Sequence, residues 1–125
     1  MIVLDSSAIL AFLLKETGAQ MVQEQLAAAV VCSVNATEVI TKLIDEKWDV
    51  QTAIMTFDAL GVHVLPYDKP LSIRAGALRQ STKHRGLSLG DRACLALAER
   101  ERMPVLTADR VWTALDIGVD IRLAR

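Results

Sequence analysis

Short apolar strands alternating with apolar or amphipathic helices predict an α/β fold, a parallel sheet covered by helices on both sides and joined by right-handed crossovers. Three stretches carry that expectation. Met1 to Asp5 is an apolar strand that runs straight into the apolar stretch from Ala8 to Leu14. Val30-Val31-Cys32-Ser33 closes a first βαβ unit. Ala93-Cys94-Leu95-Ala96-Leu97-Ala98 is apolar on every face, the mark of a central buried helix.

In chain order, residues 1 to 5 read as strand, and residues 6 to about 15 as a helix that Asp5 or Ser6 caps. A second helix is expected over 18 to 28, with Val22, Leu26 and Ala29 on one face, ahead of the strand at 30 to 33. Ala36, Val39, Ile40, Leu43 and Ile44 fall at helical spacing, with Asn35 as the expected cap. Asp49 suits the start of a helix whose Val50, Ala53, Ile54 and Phe57 form a buried stripe, and Gly61 suits its end. Val62 to Leu65 reads as strand. Pro66, Asp68 and Pro70 then mark a turn into a helix reaching about Lys83, with Gly86 closing that region. Ser88 precedes the buried helix over 90 to 102, which Pro104 halts. Val105 to Thr107 is a strand, residues 110 to 115 suit a short helix, and Asp120 to Leu123 a last edge strand.

The 125 residues suit one domain spanning 1–125, and no linker, repeat or low-complexity segment divides them. Apolar residues make up 52% of the chain, yet the longest apolar runs are too short to cross a bilayer. The N-terminus carries Asp5 rather than a basic region, so no secretory signal is expected and a cytoplasmic location follows. Cys32 and Cys94 lie in apolar surroundings that favour reduced, buried thiols. With His63 and His84 they have no zinc-ligand spacing. A net charge of −1 excludes a global basic footprint, so a nucleic-acid partner would need a local patch. No glycine-rich phosphate loop or nucleophile elbow is present.

Open α/β sheets bind ligands beyond the carboxyl ends of their strands. Asp5 follows the first strand, Glu38 lies in the first turn after the second, Asp109 follows the strand ending at Thr107, and Asp91 opens the buried helix. Each has an ordinary explanation. Asp5 and Asp109 suit N-caps, while Asn35-Ala-Thr-Glu38 and Ser88-Leu-Gly-Asp91 have capping-box spacing. Together, however, acids at one sheet end repel by roughly 4 kcal/mol per pair at about 4 Å in an intermediate dielectric. A divalent cation relieves that repulsion. Mg²⁺ and Mn²⁺ favour carboxylate and water oxygens and suit phosphodiester hydrolysis.

Beside the acids lies charge of the opposite sign. Lys69, Arg74, Arg79, Lys83, Arg85 and Arg92 fall between residues 69 and 92, where Asp91 is the only acid. That run reads either as a solvated helix face or as a phosphate-backbone track. The five dispersed aromatics offer little for base stacking.

The ordered motifs Ile2-Val3-Leu4-Asp5-Ser6-Ser7, Ser33-Val-Asn-Ala-Thr-Glu38-Val, Leu87-Ser-Leu-Gly-Asp91-Arg-Ala and Val105-Leu-Thr107-Ala-Asp109-Arg-Val-Trp112 resemble those of PIN-domain ribonucleases. The resemblance is closest to the VapC-type toxins of type II toxin–antitoxin pairs and spans nearly the whole chain. It implies a three-layer α/β/α sandwich with a five-stranded parallel sheet, and Mg²⁺ or Mn²⁺ held by Asp5, Glu38, Asp91 and Asp109. It further implies cleavage of RNA by metal-activated water, supporting roles for Ser6 and Thr107, a homodimer, and inhibition by an antitoxin protein. Arg79, Lys83, Arg85 and Arg92 are the expected RNA-binding residues. Two other readings stay open: a phosphoacceptor signalling domain of flavodoxin-like fold, although Asp5 is followed by serines rather than a second acid, and a catalytically silent PIN fold that binds protein.

Overall fold

A computed structural model describes residues 1–125. Five strands, β1 (Ile2–Leu4), β2 (Ala29–Cys32), β3 (His63–Leu65), β4 (Val105–Thr107) and β5 (Ile121–Leu123), form one sheet in the order β3-β2-β1-β4-β5. Every pairing is parallel. Seven α-helices complete the fold: α1 (Ser6–Leu13), α2 (Ala19–Gln25), α3 (Ser33–Asp45), α4 (Val50–Ala59), α5 (Lys69–Ala77), α6 (Arg79–Thr82) and α7 (Leu89–Glu101).

Side chains alternate across a strand, and here the alternation divides the core in two. Val3, Val30 and Cys32 face a layer made by α5, α7 and Trp112. Ile2, Leu4 and Val31 face the opposite layer, made by α1 to α4 through Ile9, Val22, Leu43 and Phe57. The result is the expected α/β/α sandwich. Within it α7 is buried from Ala93 to Ala98, as its all-round apolar composition requires. No helix is long and apolar enough to cross a membrane.

The strand order bears on function. It reverses direction between β1 and β4, so the switch point where open α/β sheets take ligands lies at the carboxyl ends of those two strands. A flavodoxin-like sheet has the order 2-1-3-4-5, which this chain does not share.

Several local expectations hold. Asp49 caps α4 by accepting from the Gln51 and Thr52 amides, Asp68 caps α5 through the Leu71 amide, and Gly61 follows α4 with φ +70. Others are corrected. The helix expected from Ala36 begins at Ser33, because β2 passes into α3 without a loop, so Asn35 is an interior, buried residue and not the cap. The helix expected over 18 to 28 ends at Gln25 and tightens into a 3₁₀ turn at Leu26–Ala28. The basic helix divides at Leu78 into α5 and α6, followed by a 3₁₀ turn at Lys83–Arg85. Of the expected stripe on α4, Ala53 and Phe57 are buried while Val50 and Ile54 are exposed.

Candidate acidic site at the carboxyl edge of the sheet

Asp5 leaves the end of β1 buried, with 3% of its surface exposed. Its Oδ1 accepts the Ala8 amide at 2.8 Å, the N-cap of α1. Capping occupies only part of the carboxylate. Thr107 Oγ1 donates to Oδ2 at 2.6 Å, and Ser7 Oγ lies 2.8 Å from both oxygens. These hydroxyls are themselves anchored: Ala108 N donates to Ser7 Oγ and Asp109 N to Thr107 Oγ1, at 2.9 and 3.0 Å. The ends of β1 and β4 are thereby joined through one carboxylate.

Glu38 lies on α3 and Asp91 on α7, and the two helices meet at Gly90. Asn35 Nδ2 donates to Glu38 Oε1 at 2.8 Å and to the Gly90 carbonyl at 3.1 Å. A Cβ on Gly90 would stand 2.6 Å from Glu38 Cδ and Oε1, so this contact exists only because residue 90 has no side chain. Asn35 is 1% exposed and its Oδ1 has no partner. Asp91 forms a complete capping box with Ser88. Asp109 caps the 3₁₀ turn Arg110–Ala114 through the Val111 amide at 3.0 Å.

Asp5 and Asp109 are therefore N-caps and Asp91 completes the capping box of Ser88, and the electrostatics of Asp5 and Asp91 go beyond capping. Burial pushes the Asp5 carboxyl up from 3.8 to about 6, against the lowering effect of its hydrogen bonds with Thr107, Ala8 and Ser7, and the charge of Asp91 adds to the rise. Burial also raises Asp91, again against its bonds to Ser88, with Glu38 and Asp109 contributing repulsion. Asp91 thus feels all three of the others. None of the four forms an ion pair with a lysine, arginine or histidine.

The donor set, carboxylates with hydroxyls behind them, suits a hard divalent cation. No three acids are gathered into one coordination shell in the structure. The thiols of Cys32 and Cys94 are free and buried, and burial pushes both above their ordinary range, which leaves them neutral packing groups.

The strained Asp5 carboxylate gives a first prediction. The folded state holds a proton on Asp5 up to about pH 6, whereas the unfolded chain releases it near 3.8, so stability falls as pH rises through that window. A rise of that size is worth about 3 kcal/mol. Without divalent cations, the advantage of Asp5→Asn over the parent in urea unfolding should be near zero below pH 4 and approach about 3 kcal/mol at pH 7. A difference that stays flat with pH would mean that Asp5 is not strained by its burial.

Other predicted residues are placed as follows. Ser6 is the first residue of α1 and half-buried, and the hydroxyl bonded to Asp5 is that of its neighbour Ser7, which sequence reasoning did not single out. A serine two residues beyond a strand-end carboxylate was the available signal. In the basic run, Lys69, Arg79, Lys83 and Arg85 are exposed and unpaired. Arg74 instead holds Glu99 through two bonds of 2.6 and 2.8 Å. Arg92 departs from the expected track: its Nη1 donates to the Ala75 carbonyl at 3.0 Å and its Nε is buried, so it ties α7 to α5.

A groove of about 440 Å³ opens beside Asp109, lined by Ser7, Ala108, Asp109, Arg110 and Arg125. A second cleft, of about 330 Å³, lies at the amino ends of β4 and β5 around Arg102, Pro104 and Gly118, away from the acids.

Comparison with known proteins agrees with this fold. The family model described as PIN domain matches residues 2–118. The fold is similar to that of a toxin–antitoxin complex from Klebsiella pneumoniae, with a TM-score of 0.76, 17% identity, and coverage of 100% of this chain and 98% of that one. DNA-bound VapBC from Salmonella typhimurium is similar at TM-score 0.72 and 19% identity, over 99% of this chain and 98% of that one. VapC20 of Mycobacterium tuberculosis, described as a sarcin–ricin loop cleaving toxin, is similar at TM-score 0.72 and 14% identity, over 96% and 99%. No curated protein matches the chain in sequence.

Proposed function

Because this chain belongs to the PIN-domain family, we propose that it is a Mg²⁺- or Mn²⁺-dependent endoribonuclease, acting as a single domain over residues 1–125. What supports the reading is that Asp5 and Asp109 follow the two strands at the switch point, that the charge of Asp91 acts against those of Asp5, Glu38 and Asp109, and that none of the four is paired with a basic side chain. Those four residues would hold the cation. Bound there, it supplies Lewis acidity and a water nucleophile at neutral pH.

The chain's own groups do the remainder. Ser7 and Thr107 hold the Asp5 carboxylate in one orientation, and Asn35 does the same for Glu38. Ser6 is a further supporting candidate at the start of α1. Asp91 is half-buried, its burial raises its carboxyl from the ordinary value, and it would be the group that takes a proton from an attacking water. Arg79, Lys83 and Arg85, exposed on α6 and the turn that leads toward α7, would bind the phosphate backbone. Arg79→Ala or Lys83→Ala should weaken RNA binding across sequences and reduce the salt slope by about one. An unchanged slope, read by fluorescence anisotropy at several salt concentrations, would return them to an ordinary solvated face.

The solved neighbours include toxin–antitoxin complexes, which supports the reading of this chain as a toxin inhibited by a cognate antitoxin protein; a homodimer and a cytoplasmic location belong to the same proposal. The test of the nuclease reading uses purified chain freed of any antitoxin: RNA should be cleaved with Mg²⁺ or Mn²⁺ and left intact in EDTA. An adjacent short reading frame encoding a DNA-binding protein would support the toxin assignment over a housekeeping nuclease.

A further inference from the structure

The carboxyl edge of the sheet carries one more charged residue, of opposite sign. After β2 comes Glu38, after β1 Asp5, after β4 Asp109, and after β5 Arg125. We propose that Arg125, with Arg110 lining the same groove, forms a phosphate-binding subsite beside Asp109, holding a backbone phosphodiester of RNA next to the one being cleaved. The proposal deepens the nuclease reading and rests on it for the identity of the ligand.

Arg125 is positioned by the fold. The Ala124 amide donates to the Thr107 carbonyl at 2.8 Å, which ties the residue after β5 to the end of β4. Ala124 is buried, and its carbonyl packs against Gly18, where a Cβ would stand 2.8 Å from the oxygen and where φ is +97. With the backbone fixed there, Arg125 Nε donates to the Ala108 carbonyl at 2.9 Å. That bond uses the inner donor of the guanidinium and leaves its two Nη groups as a fork, the geometry that matches two oxygens of a phosphate. Arg110 and Arg125 are both exposed, and neither forms an ion pair. Ser7, which lines the same groove, also touches Asp5, so a phosphate held by Arg125 lies beside the acids. Two guanidinium groups there offset the acids' repulsion toward an approaching polyanion, which a row of carboxylates alone would turn away.

Two measurements on the full chain test this. In the first, dimethyl phosphate, a diester with no base or sugar, is titrated while the Arg125 Nε–H and the Ala108 and Asp109 amides are followed by NMR. Saturable shifts in all three are expected, with the amide shifts lost in Arg125→Ala. Unmoved resonances overturn the subsite, whether or not the protein cleaves RNA, and an equal response to acetate overturns it in favour of a carboxylate ligand. In the second, binding of a single-stranded RNA oligonucleotide is measured against salt. Arg125→Ala should raise Kd by about 5- to 10-fold and lower the salt slope by about one, while Arg125→Lys, which keeps the charge without the fork, should fall between. Equal affinity and slope in the parent and Arg125→Ala overturn the proposal. If the dimethyl phosphate shifts occur but RNA is not cleaved, the subsite stands and the nuclease reading falls.

Discussion

Asp5→Asn should lower RNA cleavage by on the order of 10³-fold, the scale lost when a single preorganised charge is removed from a reacting centre. The same substitution should leave the fold intact and, without divalent cations at pH 7, make it more stable. Both halves follow from one carboxylate. Burial raises Asp5 to about 6, so at neutral pH its charge is held against a local cost that folding elsewhere offsets. An asparagine at position 5 keeps an oxygen for the Ala8 amide, and the Ser7 and Thr107 hydroxyls, which rotate, can accept from the new amide where they had donated to the acid. The measurement pairs cleavage rates with melting temperatures, with and without Mg²⁺. The ion should raise the melting temperature of the parent and not of the variant. Activity and stability falling together would mean instead that Asp5 is a structural cap.

Gly90→Ala is expected to separate stability from activity in a different way. The added Cβ falls within 2.6 Å of the Glu38 Cδ and Oε1 atoms, but these form the far end of a flexible side chain that can swing aside. Alanine also favours a helix over glycine by up to about 1 kcal/mol, which offsets much of the disturbance. The expected protein is therefore folded, close to the parent in stability, and slower by about 100-fold, because Glu38 is driven off its Asn35 bond. Kinetics and urea unfolding on one preparation check both halves. Parent-like cleavage would show that the position of Glu38 at the α3–α7 contact is not part of the chemistry.

Much of this arrangement is legible in the order of residues because it depends on local rules. Apolar β1 leading into apolar α1, and the all-round apolar centre of α7, require burial wherever they sit. Asp5, Asp49, Asp68 and Ser88 cap helices that begin within three residues of them. What was not legible depends on contacts between distant segments. Asn35 resembles a cap in sequence, yet β2 enters α3 without a turn and Asn35 faces Glu38 and Gly90, 55 residues away in the case of Gly90. Arg92 resembles surface charge until α5 packs on α7 and covers its guanidinium. Arg125 acquires its place only when β5 pairs with β4 and Ala124 meets Gly18, relations that spacing along the chain does not encode.

The central claim is that the carboxylates at the switch point form a cation site for hydrolysing RNA. Its most direct test is the incubation of purified protein with RNA and Mg²⁺ or Mn²⁺, with the product ends then identified. The account predicts cleavage that stops in EDTA and in Asp5→Asn, and ends without 2′,3′-cyclic phosphate, since water rather than the ribose hydroxyl attacks. Cleavage at the full rate in EDTA, or cyclic phosphate ends, would contradict it.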